Sequence, residues 1–248
     1  MRTTIVAVIN QKGGTGKTTT TINLGSALSK LGHKVLLLDL DPQSNLSYSL
    51  AVSRPQDTLA DVFLGNKSLE DIVVEKDGIW IAPGSNDLVD IEISLVQQPE
   101  RELFLKKMLT QAKSYDYVLI DCPPSLSVLT LNALTAAQEV LIPLQMEVLT
   151  LQGLDQIMNT VQKVKKAFNP KLKIKGIVVV MFDIRRKLSQ EVLEYLHENV
   201  KERIFKSQIR LNVKLAEAPS FGKSVLDYEP SSHGAKDYRA LAEEFAGA

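Results

Sequence analysis

Asn10-Gln11-Lys12-Gly13-Gly14-Thr15-Gly16-Lys17-Thr18-Thr19 follows an apolar run from Ile5 to Ile9 and precedes an amphipathic segment from Thr20 to Leu31. Apolar strand, glycine-rich turn and helix start are the parts of a phosphate cradle. Small residues let backbone N–H groups approach an anion, and the helix N-terminus adds unpaired donors and partial positive charge. Lys17 supplies a point charge for the outer phosphates, and the Thr18 hydroxyl is placed to bind Mg²⁺. Gln11 stands where the pattern G-x-x-x-x-G-K-[ST] has its first glycine, and a second lysine, Lys12, stands at the loop entrance. Three glycines, two lysines and paired threonines in this context weigh against a ligand-free turn, but the motif alone reports a nucleotide, not a biological task.

Outward from the loop, apolar strand-like runs alternate with helix-period segments. Strands are predicted at Thr3–Ile9, Lys34–Asp39, Ile79–Ala82, Tyr117–Asp121, Val140–Pro143 and Ile174–Met181. Helices are predicted at Thr18–Leu31, Leu88–Ala112, Leu129–Ala137, Leu151–Phe168, Ser189–Val200 and about Ala235–Phe245. Runs such as Val35-Leu36-Leu37-Leu38 are apolar on both faces, as in a parallel sheet covered on both sides. The expectation is an α/β fold, a doubly wound and mostly parallel sheet, as one domain over residues 1–248. Ligands should gather beyond the carboxyl ends of its strands. Residues 45–77 are the least patterned.

Two further segments end strands on aspartates. In Leu38-Asp39-Leu40-Asp41-Pro42-Gln43, alternation would send Asp39 and Asp41 to one face, Asp39 as an anchor at the strand end. Asp41 either positions a water or only initiates the bend before Pro42. In Val118-Leu119-Ile120-Asp121-Cys122-Pro123-Pro124, an aspartate after an apolar run fits a carboxylate that holds Mg²⁺ directly or through water. The prolines stiffen the loop that follows.

The 29 basic and 29 acidic residues cancel, so no global field draws the chain to nucleic acid or membrane. One cysteine, Cys122, excludes an internal disulfide and a cysteine-rich metal site. No leader pattern and no apolar run near the ~20 residues of a membrane span are present, and a cytoplasmic protein is expected.

Taken together, Lys12–Thr19, Asp39–Gln43 and Asp121–Pro124 resemble the deviant Walker A ATPases, and within them the ParA/Soj branch that partitions bacterial chromosomes and plasmids. Met181–Arg185, Asn212–Ser220, Gly222-Lys223 and Gly234–Tyr238 are similar to that branch as well. The resemblance implies an ATP hydrolase, slow without a stimulating partner, that forms a homodimer with ATP. It implies that Lys12 reaches across to the partner's phosphates and that Lys17 binds phosphate within its own subunit. Gly13, Gly14, Thr15, Gly16, Thr18 and Thr19 would complete the nucleotide cradle, Thr18 and Asp121 would hold Mg²⁺, and Asp41 would orient the attacking water. Segments near Met181–Asp183 and Ile209–Asn212 lie where the family contacts adenine. Arg185, Arg186, Lys187, Arg210, Lys214 and Lys223 are the candidates for sequence-independent contacts with double-stranded DNA, which would place the protein on the nucleoid. Here Ile209-Arg210-Leu211 replaces the branch's usual Ile-Pro-Arg. A ParB-like adaptor is the expected partner.

One alternative within the class is not separated by the sequence, and two others fit less well. A positioner of another cargo, such as a carboxysome, chemoreceptor cluster or flagellar site, differs only in the adaptor. A membrane-cycling ATPase of the MinD type calls for a basic amphipathic tail, whereas Ala240–Ala248 is acidic and reads as the last helix of the fold. An electron carrier resembling nitrogenase reductase needs cysteines for an iron–sulfur cluster.

Overall fold

The computed structural model describes residues 3–52, 55–110, 112 and 114–247 of the chain. Strand β1 (Thr4–Val8) leads through the glycine turn into α1 (Lys17–Lys30), and β2 (Val35–Asp39) follows. Three short helices, α2 (Asn45–Ser49), α3 (Leu59–Phe63) and α4 (Leu69–Ile72), cross to β3 (Val74–Lys76) and β4 (Ile79–Ala82). Helices α5 (Leu88–Leu95) and α6 (Phe104–Met108) precede β5 (Tyr117–Asp121). Then α7 (Val128–Ala136) leads to β6 (Glu139–Gln145), and α8 (Val148–Ala167) to β7 (Lys173–Val180). Four helices end the fold: α9 (Lys187–Asn199), α10 (Val213–Glu217), α11 (Val225–Tyr228) and α12 (His233–Ala246).

The seven strands form one sheet in the order β3-β4-β2-β5-β1-β6-β7. Every pairing is parallel except β3 with β4. Alternation along each strand divides the core between two faces. Ile5, Ala7, Leu36, Leu38, Val118 and Ile120 point to the side covered by α7, α8 and α9 through Leu129, Leu154 and Leu196. Val6, Val8, Val35, Leu37 and Leu119 point to the other, where α1 and α12 contribute Leu24, Leu28, Leu241 and Phe245. Gly25 is what lets α1 settle on β2, because a Cβ there would lie 2.6 Å from Leu37 Cδ2.

The doubly wound sheet matches the expectation, with two corrections. The segment expected as one helix over Leu88–Ala112 is two, α5 and α6, parted by an irregular stretch around Pro99. Proline removes a helix hydrogen bond and clashes with the preceding turn. Asn132 on α7 fills the break, accepting from Leu105 N at 3.0 Å and donating to the Arg101 carbonyl at 2.7 Å. Gln111 of that expected helix lies outside the described residues. Strand β3 was not anticipated; it folds back on β4 through Asp77 (φ 51°) and Gly78 (φ 79°). Two successive left-handed residues of the Asp-Gly type make a tight hairpin whose twist suits antiparallel strands. Of the expected terminal segment Ala240–Ala248, Ala248 lies outside the described residues, and the rest carries α12 to Ala246.

Of the unpatterned residues 45–77, Ser53 and Arg54 lie outside the described residues, and two capping boxes organise part of the rest. Thr58 with Asp61 opens α3 and Ser68 with Asp71 opens α4, each pair exchanging side-chain and backbone hydrogen bonds.

Candidate nucleotide site

Three segments meet at the carboxyl ends of β1, β2 and β5, strands that are adjacent in the sheet. The loop after β1 turns on Gly14 (φ 74°) and Gly16 (φ 75°), left-handed values that glycine adopts without steric cost. Gly16 is the residue before α1, and no side chain caps that helix. Its first N–H groups are therefore left to an outside acceptor. A Cβ built on Gly13 or Gly14 would meet nothing within 4 Å, so no other part of the chain packs against the loop at these two positions.

Asn10, to which sequence reasoning gave no role, fixes the loop entrance. Its amide donates to the Pro143 carbonyl of β6 at 2.7 Å, and its oxygen accepts from Lys12 N at 3.0 Å. Thr15 donates to the Lys12 carbonyl at 3.1 Å. Gln145 at the end of β6 donates to the Gly14 carbonyl at 3.2 Å. The loop is thus held from both sides before any ligand arrives.

The two lysines occupy different places. Lys17 is buried, with its ammonium 3.2 Å from the Lys12 carbonyl. Burial lowers its pKa, and nearby Asp121 and Asp41 oppose that shift. Lys12 is half exposed on the rim, with its ammonium 2.8 Å from Glu147 Oε2. Glu147 was not singled out in the sequence; no motif carries it, and the pair spans 135 positions.

Thr18 on the first turn of α1 donates to Asp121 Oδ2 at 2.6 Å. Asp121 is buried at the end of β5, and its pKa is raised well above the usual value by burial, then by the charge of Asp39. A hydroxyl and a carboxylate side by side, with uncompensated negative charge behind them, are the hard oxygen donors that Mg²⁺ takes. Among the described residues no group of three or more His, Cys, Asp or Glu is gathered to hold a metal.

Asp39 and Asp41, which alternation alone would send to one face, have different partners. Asp39 is fully buried and accepts from Ser47 N at 2.8 Å and Ser47 Oγ at 2.6 Å. Ser47 Oγ in turn accepts from Gly84 N at 3.1 Å, so Asp39 ties α2 to the loop after β4. Asp41 accepts from Gln43 N at 3.0 Å, closing a turn, and is close enough to Lys17 to act on its charge. Thr19 follows on α1, its carbonyl accepting from Asn23 Nδ2 at 2.7 Å. Cys122 is buried, and burial pushes its thiol pKa up. A neutral thiol is a packing residue, not a nucleophile.

The basic candidates lie elsewhere and are mostly engaged. Arg185 makes a two-point contact with Asp183 at 2.9 Å, and Arg186 sits 3.9 Å from the same carboxylate. Lys187 is 3.4 Å from Glu191, and Lys214 is 2.8 Å from Glu217. Arg210 is clasped by Asp237, which accepts from both its backbone and its guanidinium. Lys223 is exposed. The two segments expected near adenine do meet, Phe182 bridging in parallel to Arg210.

A parallel α/β sheet with an uncapped glycine loop after β1, a buried lysine in it and a Thr–Asp pair beside it defines a P-loop nucleoside triphosphatase. A family model described as an AAA domain matches residues 3–174. The chromosome partitioning protein ParA of Caulobacter vibrioides is 44% identical over 247 residues, covering 97% of this chain and 92% of that protein. The sporulation initiation inhibitor protein Soj of Bacillus subtilis is 42% identical, with 98% of each covered. Among solved structures, cobyrinic acid a,c-diamide synthase from Mycobacterium smegmatis with ADP and magnesium superposes with a TM-score of 0.85 at 36% identity, over 97% of this chain and 93% of that one. The chain belongs to the ParA/Soj family of chromosome-partitioning P-loop ATPases.

Proposed function

We propose that the protein, acting as a single ATPase domain over residues 1–248, is a slow ATP hydrolase whose nucleotide-driven homodimer loads onto DNA without sequence preference. An adaptor of the ParB type would stimulate turnover and set the cargo, in the cytoplasm and on the nucleoid. The observation that carries this reading is Lys12. Lys17 lies inside the phosphate loop, whereas Lys12 stands on its open rim with its ammonium turned to Glu147. A triphosphate brought against that rim by another copy would give Lys12 a phosphate to meet. Two such charges per site offset the anions of nucleotide held in a desolvated interface.

The open N–H groups of the Gly13–Thr19 turn would take the phosphates, and Lys17 would neutralise the outer ones. Thr18 and Asp121 would hold Mg²⁺, whose charge would offset the negative charge that develops on the oxygens in phosphoryl transfer. Asp41 would orient water toward the terminal phosphate, while Asp39 keeps the Asp41 loop in place through Ser47. Hydrolysis would remove the group that both lysines grip, and the dimer would loosen.

Membrane association is disfavoured by packing. The apolar face of α12 (Tyr238, Leu241, Ala242, Phe245) is buried in the core, so it is not available to a bilayer. Among the described residues no helix is long and apolar enough to cross a membrane. The test is size-exclusion chromatography with light scattering, with and without ATP. The wild type is expected to shift to a dimer with ATP and Lys12→Ala to remain monomeric; an ATP dimer in that variant overturns the reading.

A further inference from the structure

After α9 the chain runs along the outer side of β7. Ile177 exchanges backbone hydrogen bonds with Arg203 and Phe205, and Ile209 N donates to the Val179 carbonyl at 2.8 Å. Phe182 N donates to the Ile209 carbonyl at 2.9 Å, which carries the pairing past the end of β7. The other side of this segment is met by α12. Glu244 accepts from Lys206 N at 3.0 Å and Ser207 N at 2.9 Å, and Asp237 accepts from Arg210 N at 3.0 Å. Two carboxylates on one face of a helix thus stand in for a strand partner.

Of the two acids, Asp237 does more. It is buried, and it also takes the Arg210 guanidinium through Nη2 and through Nε at 3.0 Å. One carboxylate therefore fixes both the backbone and the side chain of Arg210. Its neighbour Tyr238 is fully buried and shares a hydrogen bond of 3.1 Å with Thr20 of α1. Helix α12 is a strut between the helix that opens at the phosphate loop and the segment at the end of β7.

The sheet says what that segment faces. Asp41 follows β2 and Asp121 ends β5, both to one side of β1, whereas β6 and β7 lie to the other. Under the ATP binding proposed above, on which this inference rests, the outer phosphates and Mg²⁺ gather at Thr18, Asp121 and Asp41. The nucleoside then extends over β6 and β7. The phosphate loop touches β7 there: a Cβ on Gly16 would stand 3.6 Å from Met181 Cε and 3.7 Å from Val180 Cγ2. Met181 takes φ 53°, a left-handed value that a bulky residue keeps where its surroundings over-determine it, as at ligand sites. The next residue, Phe182, is the one that bridges to Arg210.

We propose that Asp237, acting through Arg210, is a positioning residue for the base of ATP, holding residues 209–212 in place where the nucleoside arrives. A wall fixed in advance spares the ligand the ordering cost that subtracts from affinity. The phosphates gain nothing from it, because Lys17, Thr18 and the loop N–H groups stand on α1 and the turn before it. The signature is a loss confined to what the nucleoside contributes.

The experiment is calorimetry of full-length protein with ATP and with inorganic tripolyphosphate, both with magnesium, and a urea midpoint for each variant. Asp237→Asn and Arg210→Gln are each expected to weaken ATP about five- to tenfold and tripolyphosphate by less than about twofold. The double variant should lose no more than the worse single change, since both remove one contact. Glu244→Gln frees the same segment farther from the phosphate loop; it should lower the urea midpoint and leave the ratio of the two affinities alone. An unchanged ratio in Asp237→Asn and Arg210→Gln overturns the assignment. So does an equal fall of the ratio in Glu244→Gln, which would make any loosening of the segment sufficient. Should Asp237→Asn fail to fold, Arg210→Gln decides, its side chain being 47% exposed. A wild type that binds ATP no more tightly than tripolyphosphate leaves the pair no base to position and overturns the assignment too. A wild type that binds neither overturns the parent reading instead.

Discussion

The Lys12 ammonium lies 2.8 Å from the carboxylate of Glu147, which immediately precedes α8. The lysine proposed to meet another copy's phosphates is thus held by an acid of its own chain. Both side chains are about half exposed, at 47% and 50%, so water screens the pair. Exposed ion pairs contribute about 0–1 kcal/mol. That range sets the cost of releasing Lys12 when nucleotide arrives.

Glu147→Gln removes the competing charge and keeps the shape. The ATP concentration giving half-maximal dimer should fall, by up to about fivefold. Light scattering across an ATP titration checks it. A higher requirement would mean that Glu147 helps the dimer rather than restraining Lys12.

Thr18→Val and Asp121→Asn each remove one oxygen donor from the pair expected to hold Mg²⁺. Calorimetry of ATP binding with magnesium and with EDTA should show that the metal's contribution to affinity drops at least about tenfold in both. Metal-free binding through the loop N–H groups and Lys17 should persist. An unchanged magnesium dependence in both variants would remove the pair from that role.

Asp41→Ala leaves Lys12, Lys17 and the Thr18–Asp121 pair in place, so ATP binding and dimerisation should survive. Turnover should fall by about 10²-fold or more, because an unpositioned water seldom lies in line with the terminal phosphate. A phosphate-release assay checks this. Near-normal release would reduce Asp41 to the turn it closes with Gln43.

Much of this was legible in the sequence because the phosphate loop is local chemistry. Glycines at 14 and 16, lysines at 12 and 17 and the following threonines specify backbone angles and charges without help from distant residues. The strands showed themselves as apolar runs, since both faces are covered. Other features depend on three-dimensional proximity. Glu147 reaches the loop from 135 residues away, and Asn10 ties the loop entrance to Pro143 across 133. The pairing of Arg210 with Asp237 turns a candidate phosphate ligand into an internal tie, and nothing near Arg210 in the sequence announces that acid. The broken helix over 88–112 is a different case: Pro99, inside the segment, marks the break in the sequence itself.

Asp39 gives the pH dependence. Burial raises its carboxyl to about 6 from an ordinary 3.8, although the two Ser47 hydrogen bonds favour the anion, and its Oδ1 has no hydrogen-bond partner. A Cβ on Gly84 would collide with the Asp39 carbonyl, so the surroundings are also tightly packed. The native protein therefore binds this proton at a pH where the unfolded chain has lost it. Stability from protonation is present in full below about 3.8 and disappears as pH rises through about 6. Its size is about 3 kcal/mol over that interval. In Asp39→Asn the amide oxygen can still accept from Ser47, and no proton is exchanged. Urea midpoints of the nucleotide-free, magnesium-free protein should therefore show the wild type gaining on Asp39→Asn between about pH 7.5 and pH 5. Parallel profiles would mean that the native and unfolded carboxyls titrate alike, and that the anchor beneath Asp41 is ionised throughout.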